Sequence, residues 1–210
     1  MSPVHFFVTH WSEILGATLE HMTLVVIAML IAIAIGVPLG MLIVRRPAPR
    51  SIAMALASVF QTIPSLALFG FLIPIPFLGG IGKRTAVVAL VLYALLPILR
   101  NTYVGLTGID PAVLEAAEAM GMTPSQILLR VQLPLALSVI LAGIRTATVI
   151  TIGVATIAAA IGAGGLGTFI FRGVAMVSDA VILAGAVPAA ALALLADGFL
   201  ALLERRLRVS

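Results

Sequence analysis

Five stretches of this chain are too apolar for water and long enough to cross a bilayer, and short polar, glycine-rich or proline-rich breaks separate them. They cover residues 23–44, 52–73, 85–104, 135–161 and 180–203. A hydrocarbon core of about 30 Å takes roughly 20 helical residues at about 1.5 Å each. Each stretch therefore predicts one spanning helix. The run RRPAPR at 45–50 closes the first, PIP at 74–76 with Gly79 and Gly80 closes the second, and GAGGLG at 162–167 closes the fourth. The pattern predicts an all-α, polytopic membrane protein of about five spans. Residues 1–22 precede the transmembrane domain (23–203), and residues 204–210 form a tail.

The apolar pattern is interrupted once by a stretch built from helix signals, EAAEAMGMTPSQILLRVQLP at 115–134. Asp110 followed by Pro111 predicts a helix start, because the carboxylate caps free N–H groups and proline lacks an N–H that would be orphaned there anyway. The helix runs from Ala112 to Met120, and Gly121 supplies the left-handed turn that closes it. Thr123-Pro124-Ser125-Gln126 has the pattern of a capping box and opens a second helix towards Leu133, with Pro134 at the entry to the fourth span. Two rods joined by a two-residue bend are expected. On the first, Val113, Ala116, Ala117 and Met120 share a face flanked by Glu115 and Glu118. Small residues beside a methionine make a shallow, adaptable surface, suited either to a groove on another protein or to packing against the chain's own inner surface.

Composition agrees with the pattern: 62% of the 210 residues are hydrophobic and 10% are charged, outside the range of soluble domains. The net charge of +4 would suggest a nucleic-acid partner, but the basic residues sit at membrane edges and follow topology instead. With the amino terminus outside, the inner side receives Arg45, Arg46, Arg50, Arg100, Arg130, Arg205, Arg206 and Arg208, plus Arg145 at depth; the outer side keeps Lys83, Arg84 and Arg172. The positive-inside bias therefore puts the 108–134 loop and the carboxyl terminus in the cytoplasm. The first twenty residues hold no Lys or Arg, so a retained amino terminus is expected rather than a cleaved signal. His5, Phe6, Phe7, Trp11, Ile14 and Leu15, mixed with Glu13 and Glu20, suit a short interfacial helix; a disordered tail is the alternative.

Within the spans, Arg145 and Asp197 are the conspicuous charges, each costing about 2.5–3.5 kcal/mol at mid-depth without a partner or water. A buried ion pair between the fourth and fifth spans is expected, or else Arg145 lines a translocation path. Gly36-Val37-Pro38-Leu39-Gly40 presents a small-residue face for packing on another helix, with dimerisation as the weaker alternative. Pro64 and Pro188 predict kinks that free carbonyls towards a cavity. Gly164 and Gly165 belong to the turn after the fourth span, which is either a plain outer turn or a gate. No cysteine is present, which excludes disulfides and thiolate metal sites. No nucleotide-binding loop, HExxH or GxSxG occurs: Gly82-Lys83 is followed by Arg84. The histidines at 5, 10 and 21 are expected at the outer interface without a metal.

Glu115-Ala116-Ala117, three residues, Gly121, nine residues, then Val131-Gln132-Leu133-Pro134 resembles the EAA motif of bacterial ABC-importer permeases, with Val131 in place of the usual Ile. The runs QTIPSLAL (61–68), YALLPILRNTY (93–103), AGIRTAT (142–148) and IGAGGLG (161–167) look like permeases for osmoprotectants such as glycine betaine, choline and carnitine. Methionine-type permeases share the architecture and motif, so an amino-acid cargo is the alternative; a channel or an intramembrane enzyme is the rival from another class. The resemblance implies a type I importer permease fold with a cytoplasmic coupling helix. It implies a second permease subunit, as homodimer or heterodimer, and two cytoplasmic ATPase subunits docked on Val113, Glu115, Ala116, Ala117, Met120 and Gly121. It further implies a separate extracytoplasmic binding protein and a place in the bacterial inner or plasma membrane. No cofactor is expected on this chain; ATP and Mg would be bound by the partner ATPase. Pro64, Arg145, Gly164 and Gly165 are the candidates for gate or path.

Overall fold

The computed structural model describes residues 3–44 and 47–207, and every regular element among them is a helix. Arg45, Arg46 and Arg208, three of the cations assigned to the inner side, lie outside the described residues. A short helix α1 (Pro3–Thr9) leads into α2 (Trp11–Ile43), followed by α3 (Pro47–Thr62), α4 (Ser65–Leu72) and α5 (Lys83–Thr107). Helices α6 (Pro111–Ala119) and α7 (Pro124–Ile127) form the polar interruption. Then come α8 (Leu133–Ile157), α9 (Gly167–Ala175) and α10 (Asp179–Arg206).

Four helical stretches are long and apolar enough to cross a membrane: α2, α5, the continuous stretch Pro124–Ile161 that contains α7 and α8, and α10. The central one is α5, packed against α2 on one side and α8 on the other, while α10 leans on α8 and α9. Ala86, Ala89, Leu90, Ala94 and Ile98 of α5 are fully buried, among Ala28 and Ala32 of α2 and Ala147 and Ala155 of α8. Alanine at so many contacts lets the backbones approach closely. Close packing, rather than exclusion of water, is what holds helices together in lipid. Gly36 and Gly40 serve the same end: a Cβ at Gly36 would lie 2.8 Å from Ile98 Cγ2, and one at Gly40 would lie 2.6 Å from Thr102 Cβ. The small-residue face is thus used within the chain, against α5.

Two expectations about the spans need adjustment. Helix α2 starts at Trp11 and runs 33 residues without interruption, so residues 11–22 continue the first span. At about 1.5 Å per residue it is roughly 50 Å long and exceeds the hydrocarbon core. Only α1 is a separate short helix, with Phe6 packed beside Phe169, Ala180 and Val181. The stretch 52–73 is not one straight helix: 50–62 and 65–72 meet at 105°. Pro64, at φ −54° and ψ 137°, has no N–H to continue the ladder and disfavours helical backbone at Ile63. The Tyr93 hydroxyl donates to the freed Ile63 carbonyl, and Gln61 Nε2 donates to Tyr93 O at 3.4 Å. The bent pair makes a fifth span if it is counted as one. Pro38, Pro97 and Pro188 lie inside continuous helices.

Gly40→Leu should lower the thermal unfolding midpoint of the detergent-solubilised chain, because Thr102 is fully buried and cannot yield. Overpacking of this kind costs about 1–3 kcal/mol. An unchanged midpoint would show that the α2–α5 contact is looser than described.

Candidate functional site

The loop between α5 and α8 is capped as its sequence dictates. Asp110 Oδ1 accepts a hydrogen bond from Ala112 N at 2.9 Å, and Pro111 occupies the first turn of α6. Gly121, at φ +76°, ends the helix: its N–H donates to Glu118 O at 2.9 Å, and Met122 N donates to Ala117 O at 3.2 Å. A side chain is strained in that conformation. Thr123 N donates to Gln126 Oε1 at 2.7 Å, and Gln126 N returns a bond to Thr123 Oγ1 at 3.4 Å. These bonds satisfy the orphan donors that begin each helix.

Beyond Gln126 the chain runs towards Leu133 as expected, and Pro134 stands at the entry to α8 without ending the helix. Helix α7 passes through a wide π-helical turn, Leu128–Gln132, directly into α8. Pro134 cannot donate to the carbonyl one turn back, and the turn absorbs this deficit, with Leu133 N reaching Leu128 O instead. The helical stretch Pro124–Ile161 is therefore one rod of 38 residues, about 57 Å long at roughly 1.5 Å per residue. The loop and α8 thus share one continuous helical path.

The residues singled out on α6 divide. Ala117 is buried at 1% exposure, whereas Val113 and Met120 are 40% and 74% exposed, and Glu115, Ala116 and Gly121 are open as well. Ala117 faces inward and does not share the open surface of Val113, Ala116 and Met120. None of the described residues covers that surface.

The gate and path candidates lie in three separate places. Pro64 sits at the α3–α4 bend. Arg145 is at the middle of α8, and the stretch from it to Ile161 is about 24 Å at roughly 1.5 Å per residue. Gly164 and Gly165 come after the far end of the rod, at φ +83° and +79°. Gly165 N donates to Glu20 Oε2 at 2.9 Å, and Glu20 Oε1 pairs with Lys83 Nζ at 2.5 Å, which ties α2, α5 and the glycine turn together. His21, next to Glu20, is fully buried within the bundle, with Nε2 3.2 Å from Ile152 O. Sequence reasoning misses this knot because two apolar stretches, 23–44 and 52–73, separate Glu20 from Lys83, and nothing local pairs them.

Arg145 Nε donates to Asp197 Oδ1 at 2.6 Å, which joins α8 to α10. The pair is not enclosed: the side chains are 36% and 42% exposed. A third member, Glu204, accepts from Arg145 Nη1 at 3.3 Å. Glu204 reads as a tail charge in the sequence. Its seven-residue spacing from Asp197, two helical turns, was the available signal that both carboxylates share a face.

Comparison with known proteins agrees with this geometry. Residues 32–209 match the family described as "Binding-protein-dependent transport system inner membrane component". The chain is 44% identical over 204 residues to the choline transport system permease protein OpuBB of Bacillus subtilis (strain 168), covering 97% of this chain and 93% of that one. It is also 44% identical over 204 residues to the carnitine transport permease protein OpuCB of Listeria monocytogenes, covering 97% and 92%. Among solved structures, a crystal form from "Inward facing conformations of the MetNI methionine ABC transporter" superposes with a TM-score of 0.83 at 26% identity, covering 92% of this chain and 95% of that chain. A capped loop rigidly joined to a spanning rod and a family match across nearly all of the transmembrane region lead to one conclusion: the chain belongs to the inner membrane components of binding-protein-dependent transport systems.

Proposed function

We propose that this chain is the permease subunit of an ATP-driven importer that moves an osmoprotectant, such as glycine betaine, choline or carnitine, into the cytoplasm. The observation that carries the cargo assignment is the 44% identity, over 97% of the chain, to permeases named for choline and for carnitine. The amino-acid alternative draws on a likeness at 26% identity to a methionine transporter, and the gap favours the osmoprotectant reading. The permease does not itself hydrolyse ATP in this reading. ATP and Mg are bound by a separate ATPase subunit, two copies of which dock on the cytoplasmic side. A second permease subunit, identical or related, completes the path, and an extracytoplasmic binding protein delivers the cargo.

The mechanism follows from the rod. A surface on the ATPase holds Val113, Ala116 and Met120 of α6, with Glu115 beside them, and closure of the ATPase pair moves α6 and α7 together. Because α7 continues into α8, the displacement tilts α8 as a rigid body about its far end, where Glu20 ties the glycine turn, and moves Arg145 with it. The turn at Gly121 fixes the angle between α6 and the rod and so sets how the push is transmitted. In this orientation the amino terminus is outside and the loop and carboxyl terminus are cytoplasmic, as the distribution of arginines implies.

Two variants test the coupling in proteoliposomes that contain the complete transporter. Gly121→Pro forces φ to about −65° where +76° is needed, and Glu115→Arg reverses the charge beside the docking face. Both should lower ATP-dependent uptake about tenfold or more while membrane insertion and permease assembly persist. Full uptake by both variants would remove the coupling role of the loop. In the unaltered transporter, uptake should stop when ATP is depleted; continued downhill flux would identify a channel.

A further inference from the structure

Ala163, Gly165, Leu166 and Gly167, most of the glycine turn, are buried. Close approaches of backbone fix the surroundings of the turn. A Cβ on Gly165 would lie 3.3 Å from His21 Cα of α2, and one on Gly167 would collide with the Thr156 carbonyl of α8. On α10, a Cβ at Gly185 would lie 2.5 Å from Leu166 O. Ile81, just before α5, lies against Gly162, where a Cβ would be 3.4 Å from Ile81 Cγ2. The turn is thus a filled joint among α2, α8, α10 and the segment before α5. Packing of this density does not deform gradually.

One enclosed polar atom opposes the joint. His21 is fully buried with Nε2 near Ile152 O, and its Nδ1 has no hydrogen-bond partner among the described residues. Lifting the turn would let water reach Nδ1, so the seated turn needs a bond that offsets this loss. Glu20 supplies it, because Oε2 accepts a charge-assisted bond from Gly165 N at 2.9 Å. The pair with Lys83 is open, with the lysine side chain 61% exposed, and adds little hold of its own.

We infer that the glycine turn is the fixed pivot of the rod and not a gate, and that Glu20 keeps it seated throughout the transport cycle. Glu20 acts through the turn and is a positioning residue. Gly164 is required by its φ of +83° and because a Cβ there would collide with the Glu20 carboxylate, not because the turn must open. Any outer opening for cargo then lies outside this joint. The inference rests on the importer reading above, which supplies the cycle.

The chain has no cysteine, so Ala163→Cys or Leu166→Cys places a single thiol inside the joint. Each reports by itself, and the one that retains uptake is read. In proteoliposomes with the ATPase and binding protein, a membrane-impermeant maleimide is added from the side opposite the coupling loop, at rest and during ATP turnover. Labelling should be slow in both conditions and differ by less than about twofold. Adding Glu20→Ala should speed it about tenfold, the effect of losing one hydrogen bond to a charged group. Glu20→Gln keeps an acceptor for Gly165 and should speed it less than about threefold. Labelling that accelerates with turnover would make the turn a gate and overturn the inference. Labelling that stays slow with Glu20→Ala would overturn the role of Glu20. If the unaltered transporter shows no ATP-dependent uptake, the importer reading fails and the pivot with it, whereas accelerated labelling in a transporter that takes up cargo removes the pivot alone.

Discussion

Pro134 has no N–H to give the carbonyl one turn back, and the chain meets this deficit with a wide turn over Leu128–Gln132 instead of a break. In lipid an unsatisfied backbone group is costly, so a proline near the membrane surface must be compensated locally or the helix must end. Local compensation keeps Pro124–Ile161 in one piece. Arg145 lies on that piece, the capped loop leads into it and the glycine turn follows it. In the proposed mechanism, this continuity is what lets motion of the loop reach the membrane.

The same constraint explains the one place where the chain does bend sharply. Pro64 leaves the Ile63 carbonyl without its helical partner, and the Tyr93 hydroxyl, on the buried face of α5, takes it. Backbone irregularity is thus paired with a side chain from the most buried helix. At the far end of the rod, Glu20 and Lys83 hold the glycine turn against α2 and α5. The rod is tied where the glycines lie and bare where α6 presents Val113 and Met120, an asymmetry that fits a lever worked from one end.

Features set by a few neighbouring residues are legible in the sequence. Asp110-Pro111, Gly121 and Thr123-Gln126 specify caps whose bonds close within two to five residues, so local spacing suffices to read them. Features set by tertiary partners are not. Hydropathy over 52–73 reports an apolar run but cannot show that Tyr93, thirty residues on, stabilises a bend at Pro64. Glu13, Glu20 and His21 make residues 11–22 look separate from the first span, yet Glu20 and His21 find partners in the glycine turn and α8, and the helix runs on. Period alone groups Ala117 with Val113 and does not say which edge of a small-residue face turns inward.

The central claim is that the open face of α6 is where an ATPase subunit sits. The chain has no cysteine, so Met120→Cys gives a single thiol on that face without further changes. The measurement is the rate at which a membrane-impermeant maleimide labels this thiol from the loop side, in the permease alone and in the assembled transporter. Fast labelling of the permease alone and strong protection in the presence of the ATPase is the predicted result. Equal rates in the two states would contradict the account.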